Sequence, residues 1–67
     1  MLNSYYTRKL LTVKAHYHSE SAEILTNWIF NTTDPDIKKR LWARRSHHRR
    51  LARKYIAMAE RCETTEG

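Results

Sequence analysis

Apolar and polar positions in the second half of the chain follow a helical repeat. One series of positions advances in alternating steps of four and three residues, which is the pattern of a helix that packs along one face. Its members are Ile37, Leu41, Arg44, His48, Leu51, Tyr55, Met58 and Cys62. The series predicts a helix over about residues 35–62, followed by a frayed tail over 63–67.

The first half of the chain carries the same repeat and predicts a first helix over about residues 5–30. Its members are Leu11, Ala15, His18, Ala22, Leu25 and Ile29. The turn between the helices is predicted at residues 31–34. Asp34 before Pro35 is typical of an N-cap followed by proline at the first helical position, while Thr33 with Asp36 is a rival capping-box arrangement.

Folding the chain back at this turn brings the two apolar series into register, and we call each series the seam of its helix. Leu25 then faces Leu41, and His18 faces His48. Small and large residues alternate across the predicted contact, as closely packed layers require. The single glycine and single proline of the chain argue against an all-β fold. We therefore predict an all-α, antiparallel two-helix hairpin that forms one domain over residues 1–67.

The first helix carries a second apolar stripe beside the first. Its members are Tyr6, Leu10, Val13, Tyr17, Ile24 and Trp28. The combined apolar width exceeds the roughly 100° that a single surface helix needs, and the second helix has off-seam apolar residues at Trp42, Ala52, Ile56 and Ala59. A homodimer that forms a four-helix bundle is the expected solution. The alternatives are a monomer whose aromatic residues are half exposed to solvent, or a stripe that serves as a groove for another protein's helix.

Positive charge is concentrated on the second helix. The chain has a net charge of +6, and no acidic residue lies between Lys38 and Lys54. The basic residues that project away from the predicted seam or flank it are Lys38, Lys39, Arg45, Arg49, Arg50, Arg53 and Lys54. Such a face suits an acidic macromolecule, with DNA or RNA slightly favoured over an acidic protein. The plainer interpretation is a solvated surface, partly neutralised by Glu20 and Glu23.

The apolar stripe of the first helix supports a rival function. In that alternative the protein is an adaptor or an inhibitor of a host protein that binds through the stripe, and the arginines only keep the chain soluble. Charge reversal at Arg49 and Arg53 would then be harmless, whereas truncation of Tyr17 or Trp28 would abolish binding.

Catalytic and metal chemistry find little support in the sequence. The histidines are His16, His18, His47 and His48, and they lack the i, i+4 spacing of helical metal sites. Cys62 lies among acidic residues that disfavour a thiolate. We expect no enzyme activity, no metal, no cofactor and no small-molecule substrate, and we interpret His18 and His48 as a polar layer that sets the helix register.

The sequence also predicts where the protein works. One cysteine cannot form an intramolecular disulfide. No apolar run approaches the roughly 18 residues of a membrane span, and no secretory h-region follows Arg8 and Lys9. Binding to a membrane surface ranks third among the partner classes, because the apolar seam of the second helix is used by the first. We expect a cytoplasmic protein.

The run Ile37-Lys38-Lys39-Arg40-Leu41-Trp42 and the dense arginine and histidine stretch up to Tyr55 resemble small early-region accessory proteins of temperate, lambdoid-type phages. The resemblance concerns the style of the whole chain. It implies a non-enzymatic regulator that acts on host or phage machinery in the cytoplasm of a bacterial cell. It carries no functional residue over to this sequence.

Overall fold

The protein is an antiparallel hairpin of two long helices. The computed structural model describes the backbone of residues 4–64 and the side chains of residues 7–61. Helix α1 spans Ser4–Asn31 and helix α2 spans Pro35–Thr64, against about 5–30 and 35–62 expected from the sequence. The molecule measures 51 × 16 × 13 Å. Residues 4–64 contain no strand, so the predicted all-α hairpin is confirmed.

Asp34 is the N-cap of α2, as the first of the two capping hypotheses predicts. Its Oδ1 atom accepts hydrogen bonds from the backbone N–H groups of Asp36, at 2.8 Å, and Ile37, at 3.3 Å. Its own carbonyl accepts the first helical bond from the N–H of Lys38, at 2.9 Å. These bonds satisfy N–H groups that have no partner inside the helix. The rival assignment of Thr33 as the cap is wrong.

Polar side chains cap the C-terminus of α1, whereas many helices end with a glycine in the left-handed conformation. The Thr32 hydroxyl donates to the carbonyl of Trp28 at 2.6 Å, and the Asn31 amide donates to the carbonyl of Asn27 at 3.0 Å. The described backbone has no residue with positive φ. Polar side chains at the end of α1 therefore satisfy its last carbonyls, and the chain turns within residues 32–34.

The core lies along the predicted seam of α1. The five apolar members of that series are all buried, and His18 is partly buried between them. The buried members are Leu11, Ala15, Ala22, Leu25 and Ile29. The periodicity of the first half of the chain therefore identifies the inward face of α1 correctly.

The inward face of α2 differs from the predicted one. Among the α2 side chains up to residue 61, Ala52 and Ala59 are the buried ones, at 5% and 6% exposure, whereas the sequence predicts them beside the seam. Arg44 and Ile37 are exposed, whereas Arg45 is partly buried. Leu51 and Met58 are also partly buried. Three of the seven described seam positions of α2 are thus displaced by one residue, from Arg44, Leu51 and Met58 to Arg45, Ala52 and Ala59.

Close packing and charge account for this rotation. Ala15 and Ala22 form the small members of the α1 seam, and alanines on α2 let the two backbones approach more closely than leucines would. The rotation also leaves Arg44 exposed and places Arg45 in a partly buried position, where a hydrogen bond to the Thr26 hydroxyl offsets part of the cost of burying its charge. Packing of small residues against small residues therefore outweighs burial of the larger Leu51 and Met58.

The second apolar stripe of α1 is not covered by α2. Leu10, Val13, Tyr17, Ile24 and Trp28 are each more than half exposed. Tyr6, the remaining member, lies outside the described side chains. Exposure of five large apolar side chains along one helix is the kind of surface that marks an interaction site.

Candidate nucleic-acid interface

The basic residues of α2 lie on the surface as a continuous face. Of the seven residues predicted to bind an acidic partner, six are exposed and one is partly buried. The exposed ones are Lys38, Lys39, Arg49, Arg50, Arg53 and Lys54, and the partly buried one is Arg45. All seven residues lie on the single continuous helix α2, so the turns of that helix set the spacing between them.

A shallow groove runs along one flank of this face, between the two helices. Its α2 wall carries Arg45, Arg49 and Arg53, and its floor is formed by Ala22 and Ala52. The α1 wall carries Ser19, Glu23 and Thr26. The groove has a volume of about 340 Å³ and is open to solvent. We call it the arginine groove.

Arg45 is held in place at the centre of the arginine groove. Its Nε atom donates to the Thr26 hydroxyl at 2.6 Å, and that hydroxyl donates to the carbonyl of Ala22 at 2.9 Å. The guanidinium carbon lies 5.0 Å from the centre of the Trp42 ring, within the range of a cation–π contact. A guanidinium has five N–H donors, so four remain for a ligand after Nε is used.

The positive charge of the arginine groove is not neutralised by ion pairs. Within the side chains 7–61, Arg45, Arg49 and Arg53 form no ion pair with a carboxylate. Glu20 instead lies 3.3 Å from the Nε2 atom of His16 on its own helix. Glu23 lines the groove without a direct bond to an arginine. Glu20 and Glu23, which the plainer interpretation expects to neutralise part of the basic face, therefore form no ion pair with the groove arginines.

His18 and His48 meet across the helix interface, as the register predicts. Their Nδ1 atoms are 2.8 Å apart, so one ring donates a hydrogen bond to the other. Burial, followed by Coulombic repulsion from His18, His47 and Arg44, holds the pKa of His48 below its usual value of 6.5. The pair forms a polar layer between the apolar layers of the seam.

Aromatic contacts extend this polar layer toward the open end of the hairpin. The ring of Tyr55 stacks on that of His18, with centroids 5.7 Å apart. The ring of Tyr17 is steeply inclined to that of His18, at 71° and with centroids 5.1 Å apart. Lys14 Nζ lies 5.5 Å from the Tyr55 centroid. These contacts fix the orientation of His18. Within residues 7–61, no group of three or more histidine, cysteine, aspartate or glutamate side chains is placed to hold a metal ion.

The apolar stripe and the arginine groove lie on opposite flanks of the hairpin. Trp28 and Ile24 border a second depression together with Arg44 and His48, on the other side of the helix contact from Arg45 and Arg49. Because a helix turns by about 100° per residue, Arg44 and Arg45 point to different sides of the seam. A partner on one surface would therefore leave the other open.

The sequence pattern does not identify the two residues that contact Arg45. It places Trp42 only among the off-seam apolar residues, and nothing in the pattern marks Thr26. The i, i+3 spacing of Trp42 and Arg45 was a usable signal for their contact. The bond between Arg45 and Thr26 had no such signal, because it depends on the rotation of α2 against α1.

Comparison with protein-family models, curated proteins and solved structures finds no match to this chain. Within the described residues, no helix has both the length and the apolar character needed to cross a membrane. Fold and surface together define a small helical hairpin with one basic groove and one exposed apolar stripe.

Proposed function

We propose that the protein is a non-enzymatic regulatory binding protein whose basic α2 face docks on the backbone of a nucleic acid. One observation carries the proposal: the groove arginines are solvent-accessible and unpaired by carboxylates within residues 7–61, and Arg45 is already oriented. Arginine suits this role because its planar, permanently charged fork matches a phosphate group. An acidic protein surface is the other partner that this charge would fit.

Binding of duplex and single-stranded oligonucleotides of mixed sequence, measured by fluorescence anisotropy, tests the proposal. We expect affinity to fall steeply between about 50 and 200 mM salt, because phosphate contacts release counterions. The double variant Arg49→Glu with Arg53→Glu is expected to weaken binding. Each lost phosphate contact should also reduce the slope of log K against log salt by about 0.7 to 0.9.

A matched control separates a defined surface from net charge. Arg40 is exposed and lies on the same helix, but it does not line the arginine groove. Arg40→Glu changes the net charge as much as Arg49→Glu does, and we expect it to have the smaller effect. Equal effects would mean that charge alone drives the association. Absence of binding even at low salt would refute nucleic acid as the partner.

The exposed stripe of α1 supports a second candidate function, association with another protein. Five large apolar side chains on it are each more than half exposed, and their contact with water is unfavourable. The occupant we favour is a second copy of the chain, which would form a four-helix bundle. Since the stripe lies opposite the arginine groove, such a dimer would present two basic faces outward.

The molecular mass in solution tests the dimer, and capture of a host protein tests the adaptor alternative. Light scattering across a concentration series should give twice the chain mass of 8.1 kDa for the wild-type protein. The variant Ile24→Ser with Trp28→Ser should give the single-chain mass, with helicity checked by circular dichroism. A wild-type monomer would refute the dimer. The adaptor function would then require a host protein whose capture is lost in the same variant.

The cytoplasm of a bacterial cell is the proposed site of action, and a phage accessory role follows from the resemblance of the chain to such proteins. Ultraviolet crosslinking in bacteria that express the protein would test both ideas. Crosslinks to intracellular nucleic acid that are lost on charge reversal at Arg49 and Arg53 would support them. Crosslinks confined to the cell envelope would contradict them.

A further inference from the structure

We propose that the arginine groove is a site for single-stranded nucleic acid, with Trp42 as a platform on which an unpaired base stacks. The proposal rests on the proposed function and specifies which form of nucleic acid the groove accepts. It is carried by three features of the described residues: the row of arginines, the contact between Arg45 and Trp42, and the position of α1 beside the groove.

The spacing of the arginines in the row matches that of the phosphates along a single strand of nucleic acid. Arg45, Arg49 and Arg53 are four residues apart, so their Cα atoms follow one another at about 6 Å along the helix axis. This distance is comparable to the step between neighbouring phosphates in a single strand. All three side chains line the arginine groove, and Arg50 and Ser46 border its outer edge. The row therefore offers one guanidinium to each of three consecutive phosphates.

Trp42 lies at the end of this row and is available for stacking. Its side chain is 48% exposed even with the Arg45 guanidinium over its ring. Bases stack on aromatic rings and on guanidinium planes, and such stacking is tolerant of sequence because every base has a π-face. The bond from Arg45 Nε to Thr26 orients the guanidinium before a ligand arrives, which lowers the entropic cost of binding.

The position of α1 disfavours a duplex in the same groove. A helix reads duplex DNA by entering a major groove about 12 Å wide. Here α1 runs alongside α2, and the Cα atoms of the hairpin alone span 16 × 13 Å in cross-section. The flank that carries Arg45 and Arg49 therefore cannot enter that groove without α1. A duplex also has no unpaired base to place on Trp42, whereas a single strand can follow the groove and stack.

Glu23 lies across the groove from the arginines, and its charge provides a further test of the proposal. It is the one carboxylate that lines the groove among the described residues. Its negative charge repels phosphates. It should therefore keep them close to the α2 wall and should weaken their binding overall. Glu23→Gln is therefore expected to raise the affinity for a single strand, and the gain should shrink at high salt because the repulsion is screened.

The intrinsic fluorescence of Trp42 reports stacking directly. In the Trp28→Phe variant Trp42 is the only tryptophan, and the replaced side chain lies on the opposite flank of the hairpin. We titrate this variant with a short mixed-sequence DNA strand and with the same strand in a duplex, at about 50 mM salt. The expected result is quenching of Trp42 by the single strand, with tighter binding than to the duplex.

Replacement of Trp42 then separates stacking from charge. Trp42→Ala should weaken single-strand binding by roughly 5- to 150-fold, the equivalent of one stacked base, and should leave duplex binding nearly unchanged. Trp42→Phe should retain part of the affinity, which guards against loss of fold as the cause. Trp28→Phe should bind the single strand as the wild-type protein does.

The outcomes distinguish this inference from the proposed function. Equal binding of single strand and duplex, no quenching of Trp42, or equal weakening of both forms by Trp42→Ala would overturn the single-strand site while leaving backbone binding intact. Failure of both nucleic acids to bind would overturn the proposed function itself. Quenching with a selective loss in Trp42→Ala, partly restored by Trp42→Phe, would support the inference.

Discussion

The hydrogen bond between His18 and His48 leads to the prediction that mild acid destabilises the hairpin. With the two Nδ1 atoms 2.8 Å apart, one nitrogen must donate and the other must accept. A protonated imidazole has donors only, so two protonated rings cannot form this bond. Two positive charges would also be brought together beside Arg44 and His47 on α2, with Lys14 nearby on α1.

The direction of the pH effect follows from the pKa of His48. Burial lowers this pKa in the folded protein, and the neighbouring positive charges lower it further, whereas in the unfolded chain it stays near 6.5. The unfolded state therefore binds the proton more readily. The stabilising contribution is complete above about pH 6.5 and is lost as the pH falls through the lowered folded pKa.

The size of the effect can be judged from the contact itself. A typical hydrogen bond contributes about 0.5 to 1.5 kcal/mol net to folding stability. In a domain of this size, a loss of about 1 kcal/mol lowers Tm by roughly 4–8 °C.

Thermal melts followed by circular dichroism at about pH 7.5 and about pH 5.5 measure the effect. The wild-type Tm should fall between the two conditions, and most of that fall should be absent in His48→Gln. His47→Gln is the matched control, since His47 is exposed and the hydrogen-bonded pair remains. An equal Tm at both pH values in the wild-type protein, or an undiminished fall in His48→Gln, would refute the reasoning.

Three further predictions concern the hairpin. Asp34→Ala should lower the free energy of unfolding by about 1 kcal/mol in urea titrations, because two backbone N–H groups lose their acceptor. Thr33→Ala should have no effect, and a larger loss there would contradict the cap. Ala22→Leu should cost about 1–3 kcal/mol by overpacking, measured by the same titration, and no loss would argue against close packing. Thr26→Val should weaken single-strand binding several-fold in fluorescence titrations with helicity unchanged, since Arg45 loses its acceptor; unchanged affinity would show that this bond is not needed.

Much of the fold was determined by local and periodic features of the sequence. Asp34 and Pro35 specify the start of α2 through short-range chemistry, so the turn could be predicted without knowledge of the rest. The inward face of α1 was also predicted from its series of apolar positions, although a second apolar stripe lies beside that series on the same helix. The meeting of His18 with His48 follows from these two facts and the length of the turn.

The inward face of α2 was decided by tertiary packing. Leu41, His48 and Tyr55 belong both to the predicted series and to the one observed, so periodicity alone does not choose between Leu51 and Ala52. The choice depends on what α1 presents. The small residues of its seam favour a close approach of two backbones, and the alanines of α2 permit that approach where larger side chains would hold the helices apart.

The arginine groove is a consequence of that choice. The abundance and exposure of basic residues on α2 could be predicted from composition and helical spacing. The contact of Arg45 with Thr26 could not, because it joins residues from different helices and exists only in the rotated register. The sequence by itself thus determined the hairpin and its positive face, whereas tertiary packing decided which arginine is oriented, since long-range contacts depend on the relative rotation of two helices and no single helix encodes it.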